Sequence, residues 1–332
     1  TRTLMRSCGA RRAKKKRLVG YRVRFLSASW SMTAGRLTRR FPVVLSGKVR
    51  CVDNFSESQT NDAVTLQNRV TVDGTDTVAA MCSEKMRALK AEGKSSKLVG
   101  RSFDLTAAYR QLAISDRSSR WSRVAVFNPR TKRTECFRMF CLPFGTRASV
   151  NAFIRTARML QFLALQIGIV VSCYFDDFIV VSVPALAEAT EKAFSSLLEL
   201  VGFADDKEGP KADSMSEQVT ALGVVFDFTA SEVGTLRVRN TDKRVEEVTD
   251  KIRETLAGKF LTPSAAATLK GRLGFAEGQL FGRTARRLIN DLGSFATSAK
   301  RKSEITEDLT MSLNSVAQML LHGKPREIDS TS

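Results

Sequence analysis

The stretch Ile169-Val170-Val171-Ser172-Cys173-Tyr174-Phe175-Asp176-Asp177-Phe178-Ile179-Val180-Val181-Ser182-Val183 sets two adjacent carboxylates between two strongly apolar runs. Apolar runs rich in β-branched residues read as largely buried strands, and a charge buried beside them without a partner is costly. Successive side chains of a regular strand face opposite ways, so Asp176 and Asp177 can reach one edge together only at a tight turn. The stretch therefore predicts a β-hairpin, with Asp176 as a direct ligand of whatever compensates the charge and Asp177 in partial support. Taken alone, the pair also suits a polar turn with no further role.

A third carboxylate belongs beside the pair. Asp104 closes an apolar segment, 98–105, that reads as a strand. If that strand neighbours the hairpin, three carboxylates converge at one sheet edge. Like charges so close raise one another's pKa unless a cation intervenes. Hard divalent cations with oxygen ligands, Mg²⁺ above all, are the natural compensators, and such a set suits two-metal phosphoryl transfer.

The flanking segments place these residues in an α+β order. The spacing of Val78, Met81, Cys82, Met86 and Leu89 predicts a helix that Gly93 ends. Two strands, 121–127 and 135–140, are joined by the polar turn Asn128-Pro129-Arg130-Thr131-Lys132. Helices are expected over 148–166 and 184–201, the second stopped by Gly202, and a strand over 222–227. Beyond it the character becomes helical: Thr241 is a plausible cap, and Thr262-Pro263 opens a further helix. The tail 323–332 is polar and expected to fray. No internal repeat is visible.

The chain has 332 residues, 43% of them hydrophobic, and 53 Lys+Arg against 34 Asp+Glu, a net charge of +19. The excess is uneven: residues 1–50 hold 15 basic and no acidic residues, and the remainder is nearly balanced. A basic arm over 1–40, with the run Arg11-Arg12-Ala13-Lys14-Lys15-Lys16-Arg17, suits phosphate backbones first, or an anionic membrane or a nuclear import signal. The six cysteines form no C-x-x-C pair and there is one His, His322, so a structural zinc site is not expected and the thiols read as reduced. No apolar run reaches a membrane span and no secretory signal is seen. The expected location is intracellular, in the cytoplasm, the nucleus or both.

Three motifs, in order and at the family's spacing, resemble the polymerase part of reverse transcriptases: Phe103-Asp104-Leu105 with Ala108-Tyr109-Arg110-Gln111; Leu142-Pro143-Phe144-Gly145 through Phe153; and Tyr174-Phe175-Asp176-Asp177. Leu222-Gly223-Val224 resembles the primer-grip strand that follows. The resemblance covers about residues 48–228. It implies a right-hand polymerase fold, with fingers and an antiparallel-sheet palm over 41–228 and a mainly helical thumb or connection region over 229–332.

It further implies metal ligands at Asp104, Asp176 and Asp177 for two Mg²⁺ ions, with Mn²⁺ as a substitute. Tyr109 corresponds to the aromatic side chain that excludes a 2′-hydroxyl. Phe144, Gly145 and Tyr174 would lie at the nucleotide and template, Lys48 and Arg50 at the triphosphate, and Lys211 or Lys207 at the pyrophosphate. Val150 departs from the Pro of most relatives, and Phe144 from the Gln of the retroviral branch. The segment 268–283 resembles the helical region of DIRS-like retroelements. No set of ribonuclease H carboxylates follows residue 228, so a ribonuclease H or recombinase domain would lie outside the chain.

The implied activity is RNA-directed DNA synthesis on an RNA template and DNA primer with dNTPs, without a membrane. Two alternatives compete: a viral RNA-directed RNA polymerase, against which Tyr109 and Phe175 speak, and an inactive nucleic-acid-binding remnant of a retroelement.

Overall fold

Alternating apolar positions build strands, and apolar residues three and four apart build helices, in the computed structural model, which describes residues 37–45, 48–66, 68–206, 214–280, 285–298 and 303–330. The chain runs through β1 (Leu37–Leu45), β2 (Lys48–Asp53), α1 (Thr75–Ala91), β3 (Val99–Asp104), α2 (Asp116–Ser119), β4 (Arg123–Asn128), β5 (Arg133–Arg138) and α3 (Arg147–Gln166). It continues through β6 (Val170–Tyr174), β7 (Asp177–Ser182), α4 (Ala187–Leu200), β8 (Gln218–Ala221), β9 (Val224–Asp227) and β10 (Thr235–Asn240). The last elements are α5 (Asp242–Ala257), β11 (Phe260–Leu261), α6 (Pro263–Glu277), α7 (Arg286–Ser298), β12 (Ser303–Glu304), α8 (Glu307–His322) and β13 (Arg326–Asp329). The class is α+β with mainly antiparallel pairing. Two compact units divide the chain, the first comprising Thr1–Val72, Asp104–Ile167 and Ser195–Gly209, the second Asp73–Phe103, Gly168–Phe194 and Pro210–Ser332.

In the first unit a sheet of order β2-β1-β4-β5 joins two hairpins through a short parallel pairing of β1 with β4. Asp53, at the end of β2, is buried and receives both Nε and Nη2 of Arg40 from β1, at 2.6 and 2.8 Å. The Arg fork supplies the compensation that a buried carboxylate needs. α3 starts where the Thr146 hydroxyl accepts the Ser149 N–H at 3.0 Å, and it buries Phe153, Ile154, Ala157, Leu160 and Ala164, one stripe at helical spacing.

In the second unit α1 lays Val78, Cys82, Met86 and Leu89 into a core that also takes Ile179 and Val181 of β7, Phe226 of β9 and Leu236 and Val238 of β10. A second core is helical, from Val248 and Ile252 of α5, Leu269 and Leu273 of α6, Leu288 and Leu292 of α7 and Leu313 and Val316 of α8. Thr241 caps α5 as expected, and Thr262, at the expected start of α6, caps it too, each accepting a backbone N–H three residues on.

Three expectations fail. The tail is not frayed: β13 pairs with β10, Leu236 opposite Ile328, and Ile328 packs on the core. Leu222-Gly223 does not begin a strand; both take positive φ, +54° and +76°, and form the two-residue turn between β8 and β9. Among the described residues Cys82, Cys136, Cys141 and Cys173 carry free thiols, but Cys51 is disulfide-bonded. No helix among the described residues is long and apolar enough to cross a membrane.

Candidate active site

The hairpin of β6 and β7 closes with Tyr174 opposite Asp177, which leaves Phe175 and Asp176 as its two-residue loop. Phe175 adopts φ +53°, a left-handed conformation that a bulky side chain takes only under constraint. Flanking residues provide that constraint. Cys173, Phe178, Ile179, Val180 and Val181 are buried, so the strands cannot slip. The Tyr174 and Phe175 rings meet edge to face at 4.9 Å. Asp176 and Asp177 are consequently half-buried at the hairpin end while the strands that carry them are in the core.

Asp73 fastens this hairpin from the side. Its N–H donates to the Cys173 carbonyl at 3.0 Å, and its Oδ2 accepts the Cys173 N–H at 3.0 Å. Asp73 is buried. A carboxylate accepting a backbone N–H is a strong tether, and it acts on the residue before Tyr174.

β3 lies beside β7 in the order β3-β7-β6, and Asp104 is its last residue. From Asp104 onward the chain is held within the first unit. The Asp104 carbonyl accepts the Asp206 N–H at 2.8 Å, and the Thr106 N–H reaches the Ala204 carbonyl at 2.9 Å. Gln111 locks the same segment, donating to the Thr106 and Ala204 carbonyls at 2.8 and 2.9 Å and accepting the Ala204 N–H at 2.7 Å. Between them Ala107 takes φ +55°.

That bend presents Tyr109. Its ring stacks on the buried Phe153 at 4.6 Å and 22°, and meets the exposed Phe144 edge to face at 5.6 Å. Gly145 follows at φ +110°, where an added Cβ would lie 2.7 Å from the Asp53 carbonyl oxygen. Asn61 clamps this turn by donating to the Gly145 carbonyl at 3.1 Å and accepting the Arg147 N–H at 3.0 Å.

The residues singled out from sequence thus form two groups: Tyr109, Phe144 and Gly145 in the first unit, and Tyr174, Asp176 and Asp177 in the second. Lys48 and Arg50 stand in β2 opposite Leu45 and Val43, but their side chains, with Lys207 and Lys211 entirely, lie outside the described residues. The basic run 11–17 also lies outside them. Among the described residues no group of three His, Cys, Asp or Glu side chains is arranged to hold an ion. The donor chemistry of Asp176 and Asp177, hard carboxylate oxygens at a partly open turn, nonetheless suits a hard cation. Asp73, Asn61 and the Ala107 bend were missed by sequence reasoning, because Asp73-Gly74 reads as an ordinary turn and Asn61 and Ala107 carry no spacing signal.

No family model and no curated protein matches this chain. Solved structures do. The foamy viral protease-reverse transcriptase dRH in complex with double-stranded DNA aligns over 91% of this chain and 45% of its own, at a TM-score of 0.62 and 18% identity. The foamy viral protease-reverse transcriptase with dsDNA aligns over 91% and 54%, at 0.61 and 18%. The same protein with an RNA/DNA hybrid aligns over 86% and 34%, at 0.59 and 17%. The chain has a reverse-transcriptase-like fold and spans about half the length, or less, of these neighbours.

Proposed function

We propose that the chain is an RNA-directed DNA polymerase of retroelement origin, of the DIRS-like branch, which adds dNTPs to a primer 3′-hydroxyl. The observation that carries this reading is the strained hairpin turn at Phe175, which puts Asp176 and Asp177 at the end of a buried strand pair in a fold shared with nucleic-acid-bound reverse transcriptases. Strain of this kind persists where the surrounding structure holds it for a purpose.

In this reading residues 41–228 act as fingers and palm and 229–332 as thumb or connection. Asp104, Asp176 and Asp177 are the residues that would hold two Mg²⁺ ions. When bound, the ions would lower the pKa of the primer hydroxyl and offset the charge of the leaving pyrophosphate. Asp73 keeps the hairpin in register. Tyr109, backed by Phe153, forms a rigid aromatic wall against the sugar and rejects a 2′-hydroxyl by bulk; Phe144, Gly145 and Tyr174 lie at the nucleotide and template. Lys48, Arg50 and Lys211 or Lys207 hold the phosphates.

The test is primer extension on an RNA template with Mg²⁺, supplied with dNTPs or rNTPs in parallel. The wild type incorporates dNTPs, and Tyr109→Ala narrows its preference over rNTPs by about tenfold or more, the scale on which a pocket discriminates by shape. Preference for rNTPs in the wild type would favour the RNA polymerase alternative.

A further inference from the structure

A separate group of polar atoms lies at the C-terminal end of α6. The Asn240 side chain donates through Nδ2 to the Ala276 carbonyl at 2.8 Å, which turns its Oδ1 away from that oxygen. The Gln279 N–H donates to the same carbonyl at 3.2 Å, and the Gln279 carbonyl accepts the Arg326 N–H at 3.1 Å. Asn240 and Gln279 therefore meet at the Ala276 carbonyl, and Glu277 is the next residue along the chain. Asn240, Glu277 and Gln279 are 6%, 7% and 4% exposed. Asn240 Oδ1, Glu277 Oε1 and Gln279 Oε1 are buried and have no hydrogen-bond partner among the described residues.

All three orphans are acceptors, and one belongs to a carboxyl group. They stand at the negative end of a helix dipole, which adds to the demand for positive charge. Two of the described arginines nearby are committed elsewhere. The Arg326 guanidinium pairs with Asp76. Arg244 donates to the Gly223 carbonyl and lies over the Phe275 ring, 4.2 Å from its centroid. Leaving such groups unpaired carries their full desolvation penalty, which is larger where charge is involved. A single water brings two hydrogens and cannot serve three acceptors.

We propose that Asn240, Glu277 and Gln279 form a binding site for a hard metal cation, Ca²⁺ by the chemistry of its donors. Carboxylate plus amide oxygens in irregular geometry are ligands that Ca²⁺ accepts, whereas Mg²⁺ demands an octahedron and retains several waters. The ion joins the end of β10 to the end of α6, and so ties the strand layer of the second unit to its helical layer. This site is distinct from Asp104, Asp176 and Asp177 and does not depend on the polymerase reading.

The experiment is thermal unfolding of the chelator-treated full chain, titrated with CaCl₂ at constant ionic strength. Wild type gains about 5 °C in Tm at a hundredfold excess over Kd, as binding to the native state alone dictates. Glu277→Gln loses the shift, and the size-conserving Gln279→Met weakens Ca²⁺ binding about tenfold, which keeps the test open if the first variant fails to fold. Asp176→Asn keeps the part of the shift that Glu277→Gln removes, whatever Ca²⁺ adds at the proposed polymerase site. No shift in the wild type would mean water alone at these atoms and would overturn the site, as would a shift that survives both variants and disappears in Asp176→Asn.

Discussion

At Phe175, Ala107 and Gly145 the backbone enters conformations that most residues avoid, and each sits within a few positions of a carboxylate or aromatic ring of the candidate site. Gly145 is the most exacting of them, because its positive φ and the Asp53 carbonyl at 2.7 Å from a built Cβ both exclude a side chain. Gly145→Ala is expected to cost about 2 kcal/mol, within the range for strain at a special backbone position, measured by urea unfolding. Ala107 offers the converse. Ala107→Gly removes a left-handed penalty of about 1–2 kcal/mol at the cost of added freedom in the unfolded chain, so its Tm should equal or exceed that of the wild type. The Arg40–Asp53 pair is a third case at this scale. Arg40→Met leaves a buried carboxylate without its partner and should destabilise by about 3 kcal/mol; an unchanged urea midpoint would refute the claim that the fork compensates Asp53.

Among the elements, α1 shows how burial sets chemistry. Cys82 is fully buried on its inner face, and desolvation pushes its thiol up to about 12. The unfolded thiol ionises near 8.5, so below that pH both states hold the proton and Cys82 contributes its full stability. As pH rises from there towards about 12 the unfolded state alone gives up its proton, and stability falls by about 1.4 kcal/mol per pH unit from this group. Cys82→Ala should flatten the decline in unfolding free energy between pH 9 and 11, taken from urea titrations, by that amount, after subtraction of its own pH-independent cavity cost.

The same scale shows what the sequence made legible. The β6–β7 hairpin could be read because two apolar runs flank a charged pair, and α5 and α6 because Thr241 and Thr262-Pro263 mark their starts. β13 could not: Arg326-Glu327-Ile328-Asp329 carries one apolar residue, and its place rests on the backbone ladder to β10 and the Arg237–Glu327 ion pair. Leu222 misled because it is apolar, although Gly223 beside it was the sign of a turn. At the site, Asp104, Asp176 and Asp177 were visible in motifs, whereas the bond from Asp73 to Cys173 joins residues 100 apart and obeys no local rule. Asp73→Ala should therefore loosen the hairpin, seen as faster amide exchange at Cys173.

For the whole molecule, a net charge of +19 concentrated in the first 50 residues predicts binding that depends on phosphate neutralisation. Affinity for an RNA template annealed to a DNA primer should fall by about a thousandfold between about 50 and about 200 mM salt, read by fluorescence anisotropy, and removal of residues 1–36 should reduce that slope. Binding alone is shared by a polymerase and by an inactive remnant. Chemistry separates them, and the decisive measurement is extension of a DNA primer on an RNA template with Mg²⁺ and dNTPs, comparing the wild-type chain with Asp176→Ala under conditions where both bind the template-primer. Extension by the wild type, lost in Asp176→Ala without loss of binding, is the predicted result. An intact chain that binds the template-primer yet adds no nucleotide, or an Asp176→Ala variant that extends as well as the wild type, would contradict it.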